Sequence, residues 1–147
     1  MNYASVVEAD AYCEGKYPFP ASWDDASDDD KLRALTTATR MIDRLEFAGD
    51  KASEDQELEF PRDDDTTVPT DIVNASIEQA LALIDGADPD LERLSLGVTD
   101  SKTGDANTKY DRSFANERIV HGILSDIAWN YLKPYLRNSQ EMTLERT

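Results

Sequence analysis

In three separate stretches of this chain, apolar residues recur at intervals of three and four, the spacing of one face of an α-helix. Leu32, Leu35, Ala38, Met41/Ile42 and Leu45 form such a stripe over 28–47. Ile72/Val73, Ile77, Leu81 and Ile84 form a second over 71–85, and Ile119, Ile123, Leu124, Ile127, Ala128, Tyr131 and Leu132 a third over 114–133. A shorter pattern, Val6, Ala9, Tyr12 and Cys13, covers 5–15. The expected fold is mostly α: a small helical bundle of three main helices plus a short N-terminal helix, with two long loops and an extended C-terminal tail. At 147 residues the chain fits one domain and can bury about two thirds of its unfolded surface.

Local signals set the boundaries. Ser5 and Glu8 form a capping-box pair, in which each side chain satisfies the other's free backbone N–H, and Gly15 is the expected stop. Residues 16–27 read as a linker punctuated by Pro18 and Pro20, with Tyr17, Phe19 and Trp23 as anchors. Ser27 caps the helix over 28–47, and Asp28, Asp29 and Asp30 lie where the positive end of the helix dipole favours them. Residues 48–69 read as irregular, with one short extended segment where Leu58 and Phe60 alternate with acids. Thr70 is the cap candidate for 71–85, which Gly86 and Pro89 close. A helical turn is expected around Leu91–Leu94, and a polar loop or hairpin over 95–112. Pro134 ends the last helix, because its ring has no N–H and clashes with the preceding turn. The tail carries Tyr135, Leu136, Met142 and Leu144, four apolar anchors that point to docking on a partner.

Charge narrows function. The net charge is −16. Residues 111–147 balance five bases (Arg112, Arg118, Lys133, Arg137, Arg146) against five acids (Asp111, Glu117, Asp126, Glu141, Glu145), so the first 110 residues hold the whole excess. Such a surface repels phosphate backbones and anionic membranes, since nucleic-acid affinity comes largely from Lys and Arg releasing counterions. No apolar run reaches the roughly 20 residues of a membrane helix, and no secretory signal pattern opens the chain.

The residue types that carry chemistry are scarce. One cysteine, Cys13, allows no internal disulfide and reads as a small buried apolar residue. One histidine, His121, excludes a paired-histidine metal site, and Asp126 is off its helix face, so no base with an orienting carboxylate forms. Gly15-Lys16 lacks the glycine and the Ser/Thr of a phosphate-binding loop. Asp100 to Asp111 resembles a calcium loop in length, but Gly104 is one position early and Lys102 occupies a ligand place. No enzyme activity, metal or cofactor is expected. Trp129, Tyr131 and Tyr135 have the chemistry to stack on bases, but in an acidic chain they read as core or protein-interface residues.

Several segments match a known pattern in order and spacing. They are Tyr3-Ala4-Ser5 with Glu8-Ala9-Asp10-Ala11-Tyr12, the helix Leu35 to Asp43, Phe47-Ala48-Gly49, and Gln56-x-Leu58-x-Phe60-Pro61-Arg62. Pro69, the helix Ile72 to Leu83, a polar stretch ending near Tyr110, and Pro134-Tyr135-Leu136 follow. Together they resemble the small head–tail connector (adaptor) proteins of tailed bacteriophages, some of which are described as DnaT-like single-stranded-DNA-binding proteins. The resemblance covers roughly residues 3–136, and 137–147 lie beyond it.

The resemblance implies a helical connector domain over 1–136 and a structural virion protein at the head–tail interface, assembled in the host cytoplasm. It would form a ring, usually of twelve copies, beneath the portal protein and bridge it to a tail or nozzle protein. DNA would pass through the channel without specific binding, repelled by an acidic lumen. Phe60, Pro61 and Arg62 in the first loop, and Trp129, Tyr135, Leu136 and Leu144 near the C-terminus, are the candidates for contacts with neighbouring subunits or the portal. Two alternatives are a single-stranded-DNA-binding replication accessory protein and an acidic DNA-mimic inhibitor.

Overall fold

The computed structural model describes residues 1–16, 21–86, 118, 119 and 121–137. The fold is mostly helical. Five α-helices follow one another among these residues: α1 (Val6–Lys16), α2 (Ala21–Asp25), α3 (Asp28–Asp43), α4 (Thr70–Ile84) and α5 (Asp126–Leu132), the last running into a 3-10 turn at Lys133–Tyr135.

The capping box forms as expected, Ser5 N–H donating to Glu8 and Glu8 N–H to Ser5 Oγ. Gly15 does not stop α1, which runs on to Lys16. The linker over 16–27 contains α2, a helix the prolines concealed. Ser27 caps α3 by accepting from Asp30 N at 3.1 Å. That helix ends at Asp43 rather than 47, so Leu45 and Phe47 turn inward from non-helical backbone. Thr70 is the first residue of α4, and Pro69 stands at the cap position without a side-chain bond.

The largest departure is over 114–133, read as one helix. Gly122 adopts φ +83°, which breaks the helical path, and Ser125 starts a new helix by accepting from Ala128 N at 3.1 Å. Arg118 bridges the break, donating to the carbonyls of Ile123 and Leu124 at 2.8 and 2.7 Å and pairing with Asp126 at 2.8 Å. The expected turn at 91–94, the loop at 95–112 and most of the tail lie outside the described residues.

α4 is the axis of the fold. It packs on both α3 and α5 and also touches α1 and α2. Every residue from Ala75 to Ala80 is buried, Ser76, Glu78 and Gln79 included. Ile72 and Ala75 join a core cluster with Tyr3, Ile42, Phe47, Phe60, Ile123, Trp129 and Leu132. One turn further on, Ile77 and Ala80 join a second, with Ala9, Cys13, Trp23, Leu35 and Ala38. Burying about 25 cal/mol of stabilisation per Å² of apolar surface at both ends makes α4 the common wall of two cores.

Candidate interaction surfaces

The segment over 46–65 is irregular in backbone yet closely organised. Phe60, 4% exposed, meets Phe47 edge-on at 4.6 Å between ring centroids, and Tyr135 and Tyr3 at 5.8 and 6.2 Å. Pro61, half-buried, follows it through a cis peptide bond. Arg62, 9% exposed, turns back under the loop. Its Nε donates to Ala48 O (3.0 Å), its Nη1 to Glu59 O and Oε1 (3.2 and 3.1 Å), and its Nη2 to Gly49 O (2.5 Å). Gln56 Nε2 donates to the carbonyls of Leu58 and Pro61 at 2.7 and 2.9 Å, while its Oε1 accepts from Ser53 N. Gly49 sits at φ +80° with the Asp63 carboxylate where a Cβ would stand. The Gln56 to Arg62 motif is therefore an internal staple: its polar atoms satisfy loop carbonyls that no helix or sheet satisfies. Its Phe60 and Arg62 side chains are buried within this chain.

The C-terminal candidates follow the same rule. Trp129, 5% exposed, belongs to the core and stacks on the exposed His121 ring at 5.9 Å. Tyr135 is half-buried and donates its hydroxyl to Asp71 Oδ2 at 3.0 Å. Leu136 is half-buried and pairs with Phe47 as an isolated β-bridge, flanked by Ala48 N to Tyr135 O (2.9 Å) and Arg137 N to Glu46 O (3.1 Å). These residues close the chain's end onto its first loop. Leu144 lies outside the described residues.

Three polar clusters lie inside the bundle. Tyr3 donates to Asp43 and accepts from Phe60 N (3.3 Å). Burial, then Asp43, pushes the Tyr3 hydroxyl far above its ordinary value, and burial also raises the Asp43 carboxyl against the bond from Tyr3. Tyr12 donates to Glu78 Oε2 at 2.5 Å and stands 3.5 Å from the Tyr131 hydroxyl, tying α1, α4 and α5. Burial and then Glu78 raise Tyr12 likewise. Asp10 is held below the usual carboxylate range: burial alone would raise it, but bonds from Trp23 Nε1 (2.8 Å) and Lys31 Nζ (3.1 Å) outweigh that. Cys13 is buried, and burial followed by Glu78, Asp10 and Asp24 pushes its thiol up to about 11, the opposite of what a nucleophile needs. Among the described residues no three His, Cys, Asp or Glu side chains converge as a metal ion requires. No described helix is long and apolar enough to cross a membrane.

The surface is what remains. Lys31, Lys51, Arg62 and Arg118 are paired with Asp10, Glu59, Glu59 and Asp126. Asp50, Glu54, Asp55, Glu57, Asp63, Asp64 and Asp65 are all exposed on the stapled loop. Against this acidity, Arg33 and Arg40 on α3 and Arg44 at its C-cap form one exposed file, opposite the buried Leu35, Ala38 and Ile42. Their spacing of seven and four puts them within one narrow strip of the helix. That file was legible in the sequence as the complement of the apolar stripe.

A family model described as "Putative DnaT-like ssDNA binding protein" matches residues 2–147. It extends through the tail that the resemblance to connectors left out. No curated protein and no solved structure matches the chain.

Proposed function

The chain belongs to this DnaT-like family, and on that premise we propose that it acts by assembly, as a non-enzymatic head–tail adaptor that rings the channel beneath a portal. The observation that carries this reading is the inward use of aromatic and cationic side chains. Phe47, Phe60 and Trp129 are buried, and four cations are tied to acids of the same chain. A single-strand-binding surface has the reverse design, a basic groove with aromatic rings free to stack on bases. The order of motifs shared with connectors supplies the rest, and the acidic exterior suits a channel past which DNA slides. On this reading the protein's partners are further copies of itself, a portal protein and a tail or nozzle protein, and its place is the virion.

The second reading, single-strand binding, draws on the family's description and on the Arg33, Arg40 and Arg44 file. One experiment separates the two. Sedimentation velocity with a labelled single-stranded oligonucleotide should leave the oligonucleotide free on the adaptor reading. Adding portal protein should then give ring-shaped complexes in negative-stain images. Co-sedimentation that weakens as salt rises would replace the adaptor reading with the DNA-binding one.

A further inference from the structure

One side of α5 and its following turn is given to the core, where Ala128, Trp129 and Leu132 are buried. The opposite side carries an exposed ridge, Ile127, Asn130 and Pro134, at spacings of three and four. Ile127 is 39% exposed, well outside the range of the core residues around it. Two charges flank the ridge seven residues, or about 10 Å, apart. Lys133 is exposed and has no ion pair among the described residues. Asp126 pairs with Arg118 through one oxygen and is otherwise exposed.

A surface of matching character lies elsewhere on the molecule. Between α2, the N-terminal half of α3 and the end of α4 is an open groove of about 560 Å³. Ala34, Leu83 and Ile84 give it an apolar lining. Asp25 and Asp30 line it toward the start of α3, and Arg33 lines it one turn further along. All three are exposed, and none has an ion pair among the described residues. Ridge and groove are both apolar at the centre, and their charges run in opposite order. We infer that the ridge of one copy seats in the groove of the next. Lys133 then meets Asp25 and Asp30, Asp126 meets Arg33, and Ile127 and Pro134 lie on Ala34, Leu83 and Ile84.

The occupant is a second copy because α5 is held away from the groove of its own chain. Its inner side is buried in the core with Ile72 and Ala75 of α4. The turn after it is fastened by Tyr135 to Asp71, in the first turn of α4, and by Leu136 to Phe47. The groove is at the other end of α4, and Asp71 and Ile84 are thirteen residues, or about 20 Å, apart. Ridge and groove are different surfaces, so the contact is heterologous. Each copy gives one and receives one, and the series closes into a ring when its rotation allows. At a net charge of −16 most orientations of two copies set acid against acid. This one sets a lysine against two aspartates, so electrostatics selects it. The inference rests on the assembly reading above and names one link in it.

The test uses full-length chains and sedimentation velocity. Wild-type protein at high concentration and low salt should associate. K133E and D25K/D30K should each weaken that association about tenfold or more, since like charges then face each other. Mixed one to one, the two variants should associate again, because each offers the other an opposite charge on both surfaces. Misfolding of either variant would not give that recovery. A monomeric wild type, variants that associate as wild type does, or a mixture that stays monomeric overturns the inference. Loss with K133E but not with D25K/D30K also overturns it, since the ridge then seats somewhere other than the groove. Portal protein separates this inference from the adaptor reading. Rings that K133E builds on the portal as readily as wild type overturn the contact and leave an adaptor built on others. Recovery in the mixture, with no portal complex from wild type, keeps the contact and overturns the adaptor reading.

Discussion

Arg62 shows how one side chain replaces an element of secondary structure. Its guanidinium offers five N–H donors in a fixed fork, and loop carbonyls from Phe47 to Gly49 converge on it. Arg62→Met keeps the stem and removes the donors, leaving buried carbonyls unpaired, so urea unfolding should report a loss of about 2–4 kcal/mol. Gly49 tests the same loop from its backbone. Gly49 and Gly86 both sit at positive φ, but a Cβ at Gly86 meets open space and one at Gly49 meets the Asp63 carboxylate. Gly86→Ala should cost about 1 kcal/mol of strain, and Gly49→Ala distinctly more in the same measurement. Two carboxylates give opposite pH signatures. Asp43 is raised in the fold by burial, so its contribution is full below about pH 4 and is lost as pH rises through its folded value. Asp43→Asn keeps an acceptor for Tyr3 without titrating, so wild type should lose stability relative to it as the medium goes from acid to neutral. Asp10 is depressed by Trp23 and Lys31, so its contribution is present above about pH 4 and is lost as pH falls. Asp10→Asn should flatten the acid limb of the stability curve.

At the scale of elements, the question is why α4 tolerates polar groups in a helix buried on all sides. Gln79, 0% exposed, answers it: Oε1 accepts from Leu124 N (2.9 Å) and Ser125 N (3.4 Å), and Nε2 donates to Gly122 O (3.2 Å). It stitches the non-helical link before α5 to the central helix. Gln79→Leu should cost about 2–4 kcal/mol and speed amide hydrogen exchange at Leu124 before any other part of the bundle. A reading that kept 114–133 as one helix had no use for such a residue. The helix stripes were legible because a 3.6-residue period is a property of the local sequence. The break at Gly122 was not, because a lone glycine in a helical pattern is tolerated unless a distant partner, here Gln79, holds the alternative. The same holds for the stapled loop. Its motif was visible, but the inward direction of Phe60 and Arg62 depends on Phe47, Tyr3 and Ala48, residues 13 to 57 positions away. Large aromatic and arginine side chains are equally good at filling one's own core and a neighbour's pocket, so residue type alone could not separate them.

For the whole molecule, the excess of acids opposes compactness. Thirty-one acids against fifteen bases repel one another most strongly when the chain is compact, so salt that screens them stabilises the folded state. A titration from low to moderate salt, read by thermal melting, should therefore show the melting temperature rising; a melting temperature that falls with salt would mean that the ion pairs of Lys31, Lys51, Arg62 and Arg118 outweigh the repulsion among the excess acids.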